Sequence, residues 1–246
     1  MAVPVKKIKQ YIFIIILAFF TAWFLFIQYS SEQPVFSTET GPKAVYRGEQ
    51  NVALTFNIGW GDEKALSILE VLRNEDVKAA TFFLSGSWAE RHPHIVDKIK
   101  EDGYEIGILG YNYIDYSQSE TNVIVKDIIK AQEVFRKLGL KDLKYLRAPT
   151  GHFDNRLLDI SEKFGYTVVH WSVDSKDWTN PGIKQIMKNI DRVEKGDILL
   201  FHASDSAQQT AAAFPRVMQL IEDKKLKMIT VSEMISNSTT KTREIK

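Results

Sequence analysis

The stretch VALTFNI, residues 52–58, indicates the fold class of this chain and the place where its function is to be sought. Residues 52–56 form a short apolar run, which is typical of a buried parallel strand. The tetrapeptide TFNI, residues 55–58, closes that run and so lies at the carboxyl end of a predicted strand. Active sites of α/β folds are built at such ends. Asn57 and Ile58 therefore occupy positions where a site is expected.

Strand-like and helix-like runs alternate along the chain after this stretch. Predicted strands cover residues 51–56, 79–84, 103–109, 143–146, 166–173, 197–201 and 228–231. Predicted helices cover residues 63–74, 94–102, 123–139, 155–164, 183–193 and 211–224. Repeated strand–helix units imply a mainly parallel sheet with right-handed crossovers. About seven such units predict an α/β fold with a closed or nearly closed barrel.

Length and composition limit the classes of function. The chain has 246 residues, which suits one large α/β domain with additions. Its formal net charge of +1 gives no reason to expect a nucleic-acid partner. It contains no cysteine, so a disulfide framework and a thiolate metal site are both excluded.

The amino-terminal residues predict a membrane anchor. Lys6, Lys7 and Lys9 charge a basic stub over residues 1–10, and an uncharged, mostly apolar stretch follows over residues 11–29. As a helix, that stretch would span about 28 Å, close to the hydrocarbon thickness of a bilayer. It shows almost no polar face, which is unlike a core helix. We expect a transmembrane signal anchor with the stub in the cytoplasm and the domain outside. A cleaved signal peptide is the alternative.

The remaining chain divides into three parts. Residues 30–50 are polar, contain two prolines and two glycines, and are predicted to be a linker or an extended lead-in to the domain. One domain is predicted over residues 51–236. Residues 237–246 are predicted to be a polar, frayed tail.

Four short motifs stand at the ends of predicted strands. They are TFNI at 55–58, RAPTG at 147–151, DSKDW at 174–178 and LFH at 200–202. These resemble the motifs Thr-Phe-Asp-Asp, Arg-x-Pro-x-Gly, Asp-x-x-Asp-Trp and Leu-x-His of the NodB-type polysaccharide deacetylases, carbohydrate esterase family 4. The resemblance extends over residues 50–236. It implies a distorted (β/α) barrel with about seven units and a hydrolase that cleaves the amide C–N bond of N-acetylated sugars.

The first motif departs from the family at both of its functional positions. In the family the two acids are a catalytic base and a metal ligand, and this chain has Asn57 and Ile58 there. A carboxamide has no useful basicity, so general base catalysis at position 57 is removed. The two histidine ligands of the family align, through EIG at 105–107, on Leu109 and Tyr113.

All three metal-ligand positions of the family are therefore replaced together. Leucine and isoleucine have no lone pair to donate, and neutral tyrosine is a rare ligand. We expect no cofactor, and the alternative is a divalent metal such as zinc, as in the family, where the ion lowers the pKa of its bound water.

The later motifs are retained. The resemblance implies that Arg147 orients the catalytic carboxylate, that His202 is the general acid toward the leaving amine, and that Asp177 tunes this histidine. Because Asn57 replaces the carboxylate, we expect Arg147 to hold a ligand carboxylate, another acid or the amide oxygen of Asn57. The alternative interpretation is a polar network that only stabilises the top of the barrel.

Several other residues lie near the predicted site. Asp62 follows Trp60, and its ordinary interpretation is an acid in the first turn of a helix, where it favours the macrodipole. A compensating acid or a ligand supplied from the loop is the alternative. Of the histidines, His152 is expected at the rim, His170 as a packed rather than a catalytic residue, and HPH at 92–94 at a helix start rather than as a ligand pair.

Aromatic residues on the predicted loops suit a glycan. Aromatic faces pack well against sugar rings. We expect Trp60, Tyr113 and Trp178 to bind substrate, together with Pro149, which the resemblance implies shapes the loop of the third motif.

Within the family the chain is similar to the membrane-anchored, polysaccharide deacetylase-like sporulation proteins of bacilli. The similarity rests on the predicted anchor and on segments such as PVFSTETGPKAVYRG at 34–48, SWAERHP at 87–93, DWTNPG at 177–182 and HASDSA at 202–207. It implies peptidoglycan as the partner and a single-pass location in the cell membrane, with the domain facing the forespore or spore envelope.

Three hypotheses about function follow. In the first, the protein binds peptidoglycan or a related N-acetylated glycan through a degenerate site with little or no deacetylase activity. In the second, it is an active hydrolase of N-acetylglucosamine or N-acetylmuramic acid that uses Asp62, His202 and Arg147 in a rearranged site. In the third, it is a sporulation factor that binds a protein partner and has no affinity for glycan.

Overall fold

The computed structural model describes Thr21 and residues 44–244, with side chains as far as residue 237. The described residues from 44 onward belong to one compact unit. Apart from Thr21, the predicted anchor over 11–29 lies outside the described residues, as does most of the predicted lead-in. Within the ranges that the structure does describe, no helix is both long enough and apolar enough to cross a bilayer.

Nine strands and eight α-helices make up the described part of the domain. The strands are β1 Ala44–Val45, β2 Val52–Ile58, β3 Thr81–Leu84, β4 Glu105–Ile108, β5 Tyr145–Leu146, β6 Thr167–Val169, β7 Val173–Asp174, β8 Ile198–His202 and β9 Met228–Ile229. The helices are α1 Lys64–Asn74, α2 Gly86–Arg91, α3 Pro93–Glu101, α4 Thr121–Lys137, α5 Asn155–Lys163, α6 Ile183–Ile190, α7 Thr210–Asp223 and α8 Val231–Glu244. A 3-10 helix covers Asp177–Thr179.

All strand pairs in this sheet are parallel, which confirms the predicted α/β class. The strand order is β1-β6-β5-β4-β3-β2-β8-β7, and β9 pairs with β2. β2, which is the stretch VALTFNI at 52–58, is an inner strand of the sheet and pairs with β3, β8 and β9.

The sheet must curl, because β6 and β7, which follow one another in the chain, are second and last in the order of eight strands. β6 and β7 are six strand positions apart, which is about 29 Å in a flat sheet, whereas the chain between them reaches at most about 14 Å. Residues 170–172 close the gap: His170 N donates to Val45 O of β1 at 2.8 Å and Ser172 N donates to Ile198 O of β8 at 3.0 Å. The result fits the predicted distorted barrel.

β2 separates two apolar cores. Phe56 and Ile58 are fully buried in the larger core between the sheet and the helices. Ala53 and Leu109 belong to a smaller core inside the curl. Because successive side chains of a strand point to opposite faces, Asn57 shares the inner face with Ala53, and Ile58 points the other way.

The observed elements differ from the predicted ones at three places. The single strand predicted over 166–173 is wrong, because the chain leaves β6 at Val169, crosses the gap between the two ends of the curled sheet and joins β7 at Val173. The short helix α2 was not predicted; Ser85 caps it by accepting a hydrogen bond from Trp88 N at 3.2 Å. β1 lies within the predicted lead-in, and its pairing with β6 shows that the sheet already includes Ala44.

The last helix also differs from the prediction. A strand was expected to reach residue 231, but β9 ends at Ile229 and α8 begins at Val231. Thr230 accounts for the change: its backbone N–H and hydroxyl bond the Glu233 carboxylate, at 2.9 and 3.3 Å, as at the start of a helix. The helix continues into the stretch predicted as a polar tail.

Candidate functional site

A cavity of about 590 Å³ opens at the carboxyl ends of the strands, where the sequence predicted the site. It is lined by Asn57, Trp60, Tyr113, Pro149, Thr150, His152, Trp171, Asp174, Trp178, Leu200, His202, Ser204 and Ser206. The lining includes six of the residues predicted to function: Asn57, Trp60, Tyr113, Pro149, Trp178 and His202. Arg147 and Asp177 do not line it but are bonded to lining residues behind its wall.

Arg147 follows β5 and crosses the inside of the curl to reach β2. Its Nη1 donates to Asn57 Oδ1 and to Thr55 Oγ1, each at 2.9 Å. Its Nε and Nη2 donate to the carbonyls of Val169, at 3.1 Å, and His170, at 2.9 Å. Of the three partners expected for Arg147, the structure shows the amide oxygen of Asn57.

The guanidinium of Arg147 is a buried cation whose hydrogen-bond acceptors are all neutral. It is completely inaccessible to solvent, and its Cζ lies 4.0 Å from the centre of the Phe83 ring. Burial lowers the pKa of Arg147 to about 9, so the group remains charged at neutral pH. The aromatic face and the carbonyl dipoles replace the carboxylate that the family motif would supply.

On the other side of the cavity, Asp177 holds His202. The Asp177 Oδ1 lies 2.8 Å from His202 Nδ1, and its Oδ2 accepts from the backbone N–H of His202 at 2.8 Å. Thr210 Oγ1 donates to Oδ2 at 2.6 Å, and Trp178 N donates to Oδ1 at 2.9 Å. Because a carboxylate only accepts, the neutral imidazole carries its proton on Nδ1 and has its lone pair on Nε2.

His202 can therefore hold or move one proton at Nε2 in the cavity. Asp177 is completely buried and orients the ring rather than touching a ligand. Burial also raises the pKa of Asp174, a lining residue at the end of β7. These groups could perform acid–base chemistry, whereas the carboxamide of Asn57 offers no base.

The residues at the metal-ligand positions of the family do not fit a metal ion. Ile58 and Leu109 are fully buried in opposite cores and do not line the cavity. The Tyr113 ring packs against Gly59, where an added Cβ would come within 2.6 Å of Cδ2. Burial raises the pKa of Tyr113, with a further contribution from Asp174, so its phenol is neutral. Across residues 44–237, no group of three or more acidic or histidine side chains could hold a metal.

Asp62, the possible compensating acid, does not line the cavity. Its Oδ1 lies 2.7 Å from His92 Nε2, and His92 Nδ1 lies 2.9 Å from Trp88 O. The helix start beside it is capped from elsewhere, since the Asp205 carboxylate accepts from the backbone N–H groups of residues 62–64 at 3.0 to 3.1 Å. Asp62, His202 and Arg147 are thus not brought together in one site.

Two carboxylates that the sequence reasoning missed shape the loops around the cavity. One is Asp205: burial acts to raise its pKa, but hydrogen bonds from the Lys64, Asp62 and Glu63 amides outweigh this and lower it. Asp205 and residues 62–64 are too far apart in the chain for a local sequence pattern to predict their contact.

The other carboxylate, Asp127, organises the loop that carries Tyr113. It accepts from Tyr111 N at 2.7 Å, Asn112 N at 2.9 Å and the Tyr116 hydroxyl at 2.7 Å. A signal for Asp127 was present in the sequence, because an acid on the apolar face of a predicted helix calls for hydrogen-bond donors.

Three aromatic side chains surround the mouth of the cavity, as predicted for a site that accepts sugar rings. Trp60, Tyr113 and Trp178 are 51%, 48% and 50% exposed, whereas most large apolar side chains of the domain are buried. Trp88 and Tyr116, which also belong to predicted loops, are completely buried.

Of the other histidines, His152 and His170 lie where they were expected. His152 is exposed at the rim of the cavity. His170 packs against Trp171, with ring centres 3.8 Å apart, and its burial lowers its pKa to about 4. His170 is therefore uncharged at neutral pH.

Comparison with known proteins identifies the class to which this fold and site belong. The sequence profile of the polysaccharide deacetylase family matches residues 44–169. The chain belongs to this family, which confirms the resemblance to NodB-type deacetylases.

Among curated relatives, the chain is 30% identical to a peptidoglycan-N-acetylglucosamine deacetylase of Bacillus cereus, over 78% of this chain and 91% of the relative. It is 31% identical to the uncharacterized protein YlxY of Bacillus subtilis, over 85% of this chain and 66% of that protein.

One solved structure is similar in fold and is of particular interest for the site. It is a family 4 carbohydrate esterase (CE4) pseudoenzyme from Bacillus anthracis, with a TM-score of 0.73 and 26% sequence identity, over 79% of this chain and 69% of that chain. The fold therefore occurs in a protein described as a pseudoenzyme as well as in deacetylases.

Proposed function

We propose that this protein binds peptidoglycan or a related N-acetylated glycan in the cavity and has little or no metal-dependent deacetylase activity. The observation that carries the proposal is the hydrogen bond between Arg147 Nη1 and Asn57 Oδ1 at 2.9 Å. It puts a carboxamide where the family motif has its catalytic carboxylate.

Binding of a glycan is supported by the size and lining of the cavity. Its volume of about 590 Å³ lies within the usual range of about 300–1,000 Å³ for small-ligand sites. Trp60 and Trp178 offer aromatic faces to sugar rings, and His202 and Ser206 offer polar atoms to hydroxyl or acetamido groups. The activity of the Bacillus cereus relative supports peptidoglycan as the glycan.

The absence of metal chemistry is supported by the side chains at the three ligand positions. A catalytic metal activates water and polarises the acyl oxygen, and neither role can be filled by Ile58, Leu109 or a neutral Tyr113. The B. anthracis pseudoenzyme offers a precedent for this fold without activity.

An active hydrolase of the amide C–N bond is the second candidate. The intact contact between Asp177 Oδ1 and His202 Nδ1, at 2.8 Å, favours it, because this pair could still protonate a leaving amine. Asp62 is not available for that reaction, since its carboxylate is bonded to His92.

We also propose an extracytoplasmic location at the cell membrane, in the forespore or spore envelope. The support is the apolar stretch over residues 11–29 behind a basic stub. A protein that binds peptidoglycan without cutting it would act there as a scaffold.

Metal content and acetate release together test the proposal. The full-length protein is purified, its zinc and cobalt are measured, and acetate release from chitooligomers and peptidoglycan is followed with and without added metal. We expect less than stoichiometric metal and no acetate above background, alongside measurable binding of glycan. Stoichiometric metal with metal-dependent acetate release would establish the hydrolase instead. Failure to bind either glycan would favour a sporulation factor that recognises a protein.

A further inference from the structure

A second depression of about 540 Å³ lies beside the cavity, and we call it the side hollow. It is lined by Tyr46, Asp115, Ser117, Gln118, Gly151, His152 and Phe153. His152 lines the side hollow and the cavity alike, so the two spaces share a wall.

The same two loops build both spaces. In the loop after β4, Tyr113 lines the cavity and Asp115 lines the side hollow. In the loop after β5, Thr150 lines the cavity and Phe153 lines the side hollow. The side hollow is therefore next to the cavity, where the neighbouring unit of a bound sugar chain would lie.

Asp115 presents a fixed negative charge in the side hollow. Its Oδ1 accepts from Ser117 N at 2.9 Å and from Ser117 Oγ at 2.7 Å, and its Oδ2 lies 3.1 Å from His152 Nδ1. The hydrogen bond from the Ser117 hydroxyl lowers the pKa of Asp115, so the carboxylate is ionised at neutral pH.

Arg156 fixes the same loop without adding net positive charge. Its Nη1 donates to Ser119 O at 2.8 Å and its Nη2 to Ser117 O at 3.1 Å. The Asp154 carboxylate lies 2.7 Å from Nη2 and compensates the guanidinium. The carboxylate of Asp115 is thus held in place beside a neutral ion pair.

Aromatic rings form the apolar part of the side hollow. The Tyr46 and Phe153 rings stack with centres 6.5 Å apart. The Tyr46 ring also packs on His170, with centres 4.6 Å apart. Burial raises the pKa of Tyr46, so its ring is a neutral phenol and does not add to the charge of Asp115.

We propose that the side hollow binds a free amino group on the sugar unit next to the N-acetylated unit in the cavity. The ligand would then be a partly de-N-acetylated glycan. A fixed carboxylate beside aromatic faces is complementary to a ring that bears an ammonium group. A neutral acetamido group gains no such attraction. This inference rests on the proposed binding of glycan in the cavity.

Titration calorimetry on the full-length protein at pH 7 tests the inference. Two probes are compared: a tetramer of N-acetylglucosamine, and the same tetramer with one unit carrying a free amine. The variants are Asp115→Asn and a control, Asp223→Asn, which makes the same charge change at the end of α7. We expect the amine probe to bind about two- to fivefold more tightly in low salt, as for a partly exposed ion pair.

In Asp115→Asn this preference should disappear while binding of the fully acetylated probe is unchanged, and Asp223→Asn should keep it. Added salt should reduce the preference in the unmodified protein. Equal binding of the two probes, or an equal loss of both in Asp115→Asn, would overturn the inference but leave glycan binding standing. Failure of both probes to bind would instead overturn the proposed function.

Discussion

The two sides of the cavity compensate their buried charges in different ways. On the side of β7 and β8, the Asp177 Oδ1 lies 2.8 Å from His202 Nδ1, and the Thr210 hydroxyl donates a further hydrogen bond to the Asp177 carboxylate. On the side of β2 and β5, the buried Arg147 is met by neutral oxygens, including that of Asn57. The first side keeps the family motifs, and the second has lost an acid.

We propose from this difference that the groove of this protein is separated from the metal site of the family. The loss of the metal positions is confined to β2 and to the loop after β4, where Ile58, Leu109 and Tyr113 stand. The side of His202 and the aromatic rim do not depend on a metal for their geometry. The proposed function follows from this division: His202 and the aromatic residues of the rim are assigned to glycan binding, while the base and metal positions of the family are replaced.

The largest effect is expected at the outer face of β2. Ile58→Asp, which would restore the acid of the family motif, places a carboxylate in the larger core, because the side chain points away from the cavity. We expect the free energy of unfolding to fall by about 3–5 kcal/mol in urea denaturation. Ile58→Val is the control and should cost about 1 kcal/mol. A small loss in Ile58→Asp would show that this position can turn toward the cavity.

A gain in the free energy of unfolding, instead of a loss, is expected one residue earlier, at Asn57. Asn57→Asp supplies a carboxylate to Arg147, and we expect about 1–3 kcal/mol of added stability at pH 7. The ion pair lowers the pKa of the new acid in the folded state, so the gain is present above about pH 4 and is lost as the pH falls further. Asn57→Ala, which removes the acceptor, should destabilise instead. No gain in stability in Asn57→Asp would mean that neutral acceptors already stabilise the charge of Arg147 fully.

A third prediction concerns the pH dependence of stability near the closing segment of the sheet. His170 has a folded pKa of about 4, lowered from 6.5. Between these values the unfolded chain binds the proton first, so stability is complete above about pH 6.5 and decreases as the pH falls toward 4. We expect a loss of about 1–3 kcal/mol over this range, absent in His170→Gln. His94→Gln, on the exposed surface, is the control and should lose stability over this pH range as the unmodified protein does. A loss of stability that persists in His170→Gln would show that another group causes it.

The smallest effects are expected at the rim of the cavity. Trp60→Ala and Trp178→Ala should each weaken binding of chitotetraose about three- to tenfold, because each removes one aromatic face from the ligand. Thermal unfolding should change little, since both side chains are half exposed. Val123→Ala on α4 is the control with an exposed apolar side chain. Unchanged affinity in both tryptophan variants would place the glycan somewhere else.

The sequence predicted the parts of this molecule that depend on local pattern. β2 and the alternation of strands and helices could be read from apolar runs, and the pair of Asp177 and His202 was implied by the resemblance to the family motifs. The contact of Arg147 with Asn57 was among the expected alternatives, because the family motif already links the two positions.

Several of the parts that were missed depend on contacts between distant segments. The cap that Asp205 provides for α1 joins residues more than 140 positions apart. The division of residues 166–173 into two strands arises only when the sheet curls and brings its edges together. The position of Ile58 in the outer core needed the observed end of β2, which extends past the predicted end at Phe56.

Glycan binding in the presence of a chelator tests the central claim most directly. Titration calorimetry of the full-length protein with chitotetraose is carried out once in EDTA and once in excess zinc. The separation of groove from metal predicts the same Kd in both conditions and no acetate released in either. Binding that requires zinc, or acetate that appears when zinc is added, would contradict the account.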